Sequence, residues 1–188
     1  GHPHQYTPIY HQYLAPVAAD VKRVLEIGIC VTRALPNGRT GASLFMWEEF
    51  FPNAEIFGID IDPASMVNEG RIKSAVANQG DSATMCAALA SFGWGMFDVI
   101  VDDGTHDPAY QAAAAIIMLP YLAPGGHYFI EDIYVDPASI ERNIRTAVPD
   151  KSLSFAVYEG GKPLPEGYGR REWGGPPAGE CLMLIRVN

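Results

Sequence analysis

The sequence predicts an α/β protein with a Rossmann-like, doubly wound and mostly parallel seven-stranded sheet that ends in an antiparallel edge hairpin. Three observations predict it. Apolar strand-like runs alternate with helical patterns along most of the chain, which calls for parallel strands with helices on both faces. Two of those runs, Phe97-Asp-Val-Ile-Val-Asp-Asp-Gly-Thr-His106 and Gly126-His-Tyr-Phe-Ile-Glu-Asp132, break into charged groups at their carboxyl ends, where ligands bind in open α/β sheets. The last two strand-like runs follow one another without a helix, so they should pair antiparallel at one edge.

In chain order, residues 4–17 place Ile9, Tyr10, Tyr13, Leu14 and Val17 on one stripe, a packing or lid helix within an N-terminal segment spanning residues 1–20. Residues 21–29 form a first strand running into Gly28. Residues 30–40 are polar and turn-rich, and Gly41 opens a helix over residues 42–51. Residues 54–60 make a second strand ending in Asp60. Residues 72–77 make a weak third, followed by a helix over residues 83–92. The fourth strand begins at Phe97, a helix covers residues 109–122, and Pro124-Gly125-Gly126 turns the chain into the fifth strand. A helix over residues 138–148 and strands at residues 153–158 and 181–187 complete the order. Asp62, Asp107 and Asp136 each precede a proline and a helical pattern, which marks them as N-caps. The 159–179 segment, dense in glycine and proline and carrying Tyr168, Arg170, Arg171 and Trp173, is a long loop, which in a compact domain is functional, disordered or an oligomer contact.

With 188 residues, 48% of them hydrophobic, the chain fits one domain. A net charge of −9 and 13 scattered Lys and Arg argue against nucleic acid as partner and favour a small-molecule substrate. Cys30, Cys86 and Cys181 are widely spaced without a CxxC, so buried reduced thiols are expected. No run approaches a membrane span and no signal peptide opens the chain, so a cytoplasmic protein without membrane contact is expected.

Glu26, Gly28 and Asp60 supply the geometry of a nucleoside pocket: a glycine where a ligand meets the backbone, and an acid placed for ribose hydroxyls. The loop after Gly28 is not GxGxxG, which points to ribose and adenine without a pyrophosphate. If the fourth and fifth strands are neighbours, Asp102 or Asp103 meets Glu131 and Asp132. Oxygen ligands of that kind suit magnesium, calcium or manganese better than zinc. His106 is placed to take a proton from a substrate hydroxyl, the alternative being a loop histidine at the start of the next helix. His2, His4, His11 and His127 carry less weight.

Val24-Leu-Glu-Ile-Gly28, the Gly-Ala-Ser-Leu-Phe-Met-Trp run from Gly41, the Phe-Pro-Asn-Ala-Glu-Ile-Phe-Gly-Ile-Asp run to Asp60, Asp102-Asp-Gly-Thr-His106 and Pro124-Gly-Gly…Ile130-Glu-Asp132 together resemble class I S-adenosylmethionine-dependent methyltransferases. They are most similar to the metal-dependent sugar O-methyltransferases of macrolide biosynthesis, the mycinamicin and macrocin type, and to the related cephalosporin-hydroxylase family. The resemblance extends to His4-Gln-Tyr6. It implies S-adenosyl-L-methionine lying across Gly28, with Glu26, Gly41, Ser43, Asp60, Asp81 (near the adenine) and Asp102 on the cofactor side. It also implies a divalent cation, magnesium, on Asp103, Glu131 and Asp132, with His106 and Asp103 catalytic. The expected activity is O-methylation of a hydroxyl on a natural-product sugar or polyol; the resembled enzymes assemble, which leaves a homo-oligomer as an open option for this chain. Two alternatives stand beside it. One is oxygenation as in the cephalosporin-hydroxylase relatives, disfavoured because three carboxylates and one loop histidine do not make a two-His-one-carboxylate site. The other is a methyltransferase-like binding domain without turnover.

Overall fold

The computed structural model describes residues 6–29, 40–159, 162–163 and 181–187. The expected loop at residues 30–39, most of the 159–179 segment with Tyr168, Arg170, Arg171 and Trp173, and the residues His2, His4 and Cys30 lie outside the described residues.

The elements are α1 (Thr7–Leu14), β1 (Arg23–Ile27), α2 (Ala42–Phe50), β2 (Glu55–Asp60), β3 (Ile72–Val76), α3 (Ser82–Ser91), β4 (Phe97–Asp102), α4 (Pro108–Met118), β5 (Leu122–Ile133), α5 (Pro137–Ala147), β6 (Leu153–Glu159), β7 (Lys162–Pro163) and β8 (Cys181–Val187). They build one sheet in the order β3-β2-β1-β4-β5-β8-β6-β7. The first five strands pair in parallel. The chain order reverses between β1 and β4, which opens the crevice where such sheets take ligands.

The expected antiparallel pair of final strands is present, and it is inserted rather than appended. β8 lies between β5 and β6 and is antiparallel to both, so β6 again runs with the parallel strands. The described sheet has eight strands instead of seven, because the two-residue β7 pairs with the end of β6. α4 stops at Met118, short of the expected residue 122. Pro120 has no N–H to continue the ladder, and a 3-10 turn at Leu119–Tyr121 follows. β5 starts four residues earlier than expected, and its extra residues are absorbed where Phe97 pairs with Leu122 but Val99 pairs with His127.

The sheet separates two apolar layers. One gathers Met85 and Leu89 of α3, Ala115 and Met118 of α4, and Ile140 and Ile144 of α5 against Leu25, Ile27, Ile100 and Ile130. The other gathers Ile9 and Leu14 of α1 and Leu44 and Trp47 of α2 against Val24, Val99, Val101 and Phe129. Tyr10, Tyr13 and Val17 pack partly on this second layer, so the predicted stripe of α1 does face the sheet. Asp62, Asp107 and Asp136 each accept a hydrogen bond from the backbone N–H two residues on, the cap their Asp-Pro context predicts. Among the described residues no helix is long and apolar enough to cross a membrane. Cys86 and Cys181 are free thiols, the second buried.

Candidate active site

A cavity of about 470 Å³ opens at the carboxyl ends of β1, β2, β4 and β5, where the reversal of strand order predicts it. Of the residues singled out from the sequence, Gly28, Ser43, Asp60, Asp103, His106, Glu131 and Asp132 line it. Glu26, Gly41, Asp81 and Asp102 are not on its wall, while Asn78 and Gln79 are.

One half of the cavity is made from β1, β2 and β3. Gly28 has φ of +94°, and a Cβ there would sit 2.2 Å from the Asp103 carbonyl oxygen. Only a glycine allows the tips of β1 and β4 to touch backbone to backbone. Asp60 ends β2 with its carboxylate fixed from both sides. Oδ2 accepts from the Ile29 N–H at 2.8 Å and Oδ1 from the Asp62 N–H at 2.8 Å. Ile27, Ile29, Ile59, Ile61 and Ala77 supply the apolar lining beside it. Behind this wall Glu26 is buried and takes a hydrogen bond from Ser43; burial holds its carboxyl well above the usual carboxylate range. Gly41 is the left-handed residue ahead of α2. Asp81 caps α3 by accepting from the Ala83 N–H at 3.0 Å and is exposed.

Gln79 joins the two halves. Its Nε2 donates to Asp102 Oδ1 at 3.2 Å, and its Oε1 accepts from the Thr105 N–H at 2.9 Å. A Cβ at Gly104 would fall 1.9 Å from that Oε1, so this loop glycine is needed for Gln79 to reach in. Asp102 is fully buried and also accepts from the Gly104 N–H at 3.2 Å. Burial pushes its carboxyl up to about 7.

The other half is acidic. Asp103 Oδ1 lies 3.0 Å from His106 Nε2, and Asp132 Oδ2 lies 3.7 Å from the same nitrogen. His106 and Asp132 have φ of +59° and +51°. Left-handed backbone at residues other than glycine costs energy and collects at sites where geometry matters. The hydrogen bond to Asp103 raises the His106 pKa, partly opposed by burial. Burial, then the neighbouring Asp103 charge, push Glu131 up to about 8. α1 reaches this half as well. Tyr6 donates to Asp132 Oδ1 at 2.8 Å, and Tyr10 donates to Glu131 Oε1. Gln111 on α4 donates to the Glu131 carbonyl oxygen at 2.8 Å. Burial first, and the adjacent acids second, hold both phenols well above their usual range, so they stay proton donors.

Asp103, His106 and Asp132 each present a ligand atom within 4.8 Å of the others. Crowded carboxylates of this kind can be neutralised by a divalent cation, and carboxylate oxygens suit magnesium or manganese. Glu131 borders the same space but is not in that trio; its Oε1 accepts from Tyr10. Tyr6, Tyr10, Asn78 and Gln79 were not singled out from the sequence as site residues. A signal exists for the two tyrosines, whose i, i+4 spacing puts them on one helix face. Nothing local marks Asn78 or Gln79.

No family model matches the chain. Mycinamicin VI 2''-O-methyltransferase of Micromonospora griseorubida is 35% identical over 134 residues, covering 71% of this chain and 33% of that protein. The 8-demethyl-8-(2-methoxy-alpha-L-rhamnosyl)-tetracenomycin-C 3'-O-methyltransferase of Streptomyces olivaceus is 34% identical over 131 residues, covering 70% of this chain and 33% of that protein. The chain therefore spans about a third of the length of the curated relatives it matches. The MycE methyltransferase of the mycinamycin biosynthetic pathway, solved in complex with Mg, SAH and mycinamycin VI, superposes with a TM-score of 0.61 at 36% identity. That match covers 70% of this chain and 35% of that one.

Proposed function

We propose that this chain, similar over about 70% of its length to natural-product sugar O-methyltransferases, transfers a methyl group from S-adenosyl-L-methionine to a hydroxyl of a natural-product sugar or polyol, with magnesium as divalent cation. The observation that carries this reading is a single cavity holding both an acid-ended nucleoside wall and an acidic cluster with a histidine. Its volume of about 470 Å³ and its apolar lining suit a nucleoside-sized cofactor.

In this reading Asp60 accepts the ribose hydroxyls, Gly28 and Ser43 border the cofactor's amino-acid end, and Ala77, Asn78 and Gln79 frame the adenine. Glu26, Gly41, Asp81 and Asp102 act from behind the wall: Glu26 through Ser43, Gly41 and Asp81 by starting α2 and α3, and Asp102 by holding Gln79. Asp103, Glu131 and Asp132 hold the cation. When bound, the cation lowers the pKa of the acceptor hydroxyl and the cofactor supplies an electrophilic methyl group. His106 takes the hydroxyl proton on its imidazole, oriented by Asp103, and general-base help of this kind contributes roughly 10²–10⁴-fold. The strand tips do the rest by holding donor and acceptor in line.

The experiment is to incubate the chain with S-adenosylmethionine, Mg²⁺ and a panel of macrolide and tetracenomycin glycosides bearing unmethylated sugars, and to follow S-adenosylhomocysteine and product mass. Methylation that stops in chelator is expected. Full turnover in chelator would remove the cation from the reading, and release of S-adenosylhomocysteine without a methylated glycoside would remove the sugar.

A further inference from the structure

The reaction as proposed makes no use of the hydroxyls of Tyr6 and Tyr10. They lie one helical turn apart and reach two consecutive acids at the tip of β5, more than a hundred residues away in sequence. Neither phenol is free to wander. Tyr6 is 5% exposed. The Tyr10 ring meets Trp47 and Phe129 edge-on, at centroid distances of 5.3 and 4.9 Å.

Each phenol takes one oxygen of its acid. Tyr6 donates to Oδ1 of Asp132, whose Oδ2 is the atom 3.7 Å from His106. Asp132 returns a second contact, its N–H pointing to the Tyr6 oxygen at 3.3 Å, which ties the left-handed backbone of this residue to α1. Tyr10 donates to Oε1 of Glu131, and Gln111 fixes the same residue's carbonyl oxygen from the opposite face of the sheet. A carboxylate held through one oxygen by a neutral donor is fixed in orientation. Hydrogen bonds of this kind, from groups that do not touch the ion, are what orient ligands in metal sites.

We infer that Tyr6 and Tyr10 are positioning residues that present Asp132 and Glu131 to the divalent cation, so that docking of α1 and cation binding are coupled. This rests on the cation assignment made above. Coupling follows from linkage: if the docked α1 favours the bound cation, the bound cation favours the docked α1 to the same extent.

The test uses Mn²⁺ as probe, read by calorimetry, on the intact chain and on Tyr6→Phe, Tyr10→Phe and the double variant. Phenylalanine keeps the ring packing and removes only the hydroxyl. Each single variant should weaken Mn²⁺ binding about 10-fold to 100-fold, while S-adenosylhomocysteine affinity stays within about twofold of the parent chain. Amide exchange should slow across residues 7–14 on addition of Mn²⁺ in the parent chain and not in the double variant. Unchanged or tighter Mn²⁺ binding in both single variants would overturn the positioning role and leave the cation assignment standing. Failure of the parent chain itself to bind Mn²⁺ would overturn the cation assignment, and this inference with it.

Discussion

The two halves of the cavity treat their acids in opposite ways. At the tip of β2, Asp60 has a backbone amide on each oxygen, both from residues that the strand-turn geometry brings to it. At the tips of β4 and β5, Asp103, Glu131 and Asp132 crowd one another and are held by side chains, His106, Tyr10 and Tyr6, that come from a loop and from the N-terminal helix. A carboxylate satisfied by neutral amides is a stable acceptor and suits ribose hydroxyls. Burial first, and then repulsion from the carboxylates sharing the space, push Glu131 up to about 8. In the proposed function the first half takes the ribose and the second the cation.

Substitutions that touch one half alone will break or sharpen that division. Asp103→Ala or Glu131→Ala should abolish cation-dependent methyl transfer while S-adenosylhomocysteine affinity, measured by calorimetry, changes less than about twofold. Loss of cofactor binding in the same variants would show that the halves are one unit. His106→Ala should lower kcat by roughly 10²–10⁴-fold in steady-state assays, again without weakening the cofactor. Asp60→Ala reverses the pattern. The loss of charged hydrogen bonds, worth about 1.5–3 kcal/mol, should weaken S-adenosylhomocysteine roughly 10-fold to 100-fold and leave Mn²⁺ affinity unchanged.

The seam between the halves is read by stability, not by ligand affinity. Asp102 is fully buried and its carboxyl titrates near 7 in the fold against an ordinary value of 3.8. Below 3.8 the group is protonated in both folded and unfolded chains and costs nothing. As pH rises towards 7 the unfolded chain releases the proton first, so stability falls, by about 4 kcal/mol at most once pH exceeds 7. Thermal melts between about pH 5 and 8 should show this slope in the parent chain and a shallower one in Asp102→Asn.

Much of the β1–β2 half was legible because its interactions are local. The Asp62 cap is a contact two residues long, and Gly28 was singled out as a strand-end glycine, although what it meets in the fold is the Asp103 carbonyl. The grip on Glu131 and Asp132 was not legible in the same way. Tyr10 sits on a stripe that also packs against Trp47 and Phe129, and apolar periodicity cannot say that its hydroxyl continues past the core to an acid 121 residues away. Gln79 was hidden for a related reason. Its partners, Asp102 and Thr105, become neighbours only once β3 and β4 stand on opposite sides of β1 and β2 and their loops fold towards each other. The insertion of β8 between β5 and β6 also escaped pattern reading, since periodicity specifies a strand and not its place in the sheet.

Everything proposed for this cavity depends on its binding S-adenosylmethionine on one side and a divalent cation on the other. Calorimetric titration of S-adenosylmethionine into the chain, with and without Mg²⁺, tests it most directly. Saturable cofactor binding in both conditions, with a separate Mg²⁺ isotherm that disappears in Asp103→Ala, is the result predicted. No binding of S-adenosylmethionine at high micromolar concentration with Mg²⁺ present would contradict it.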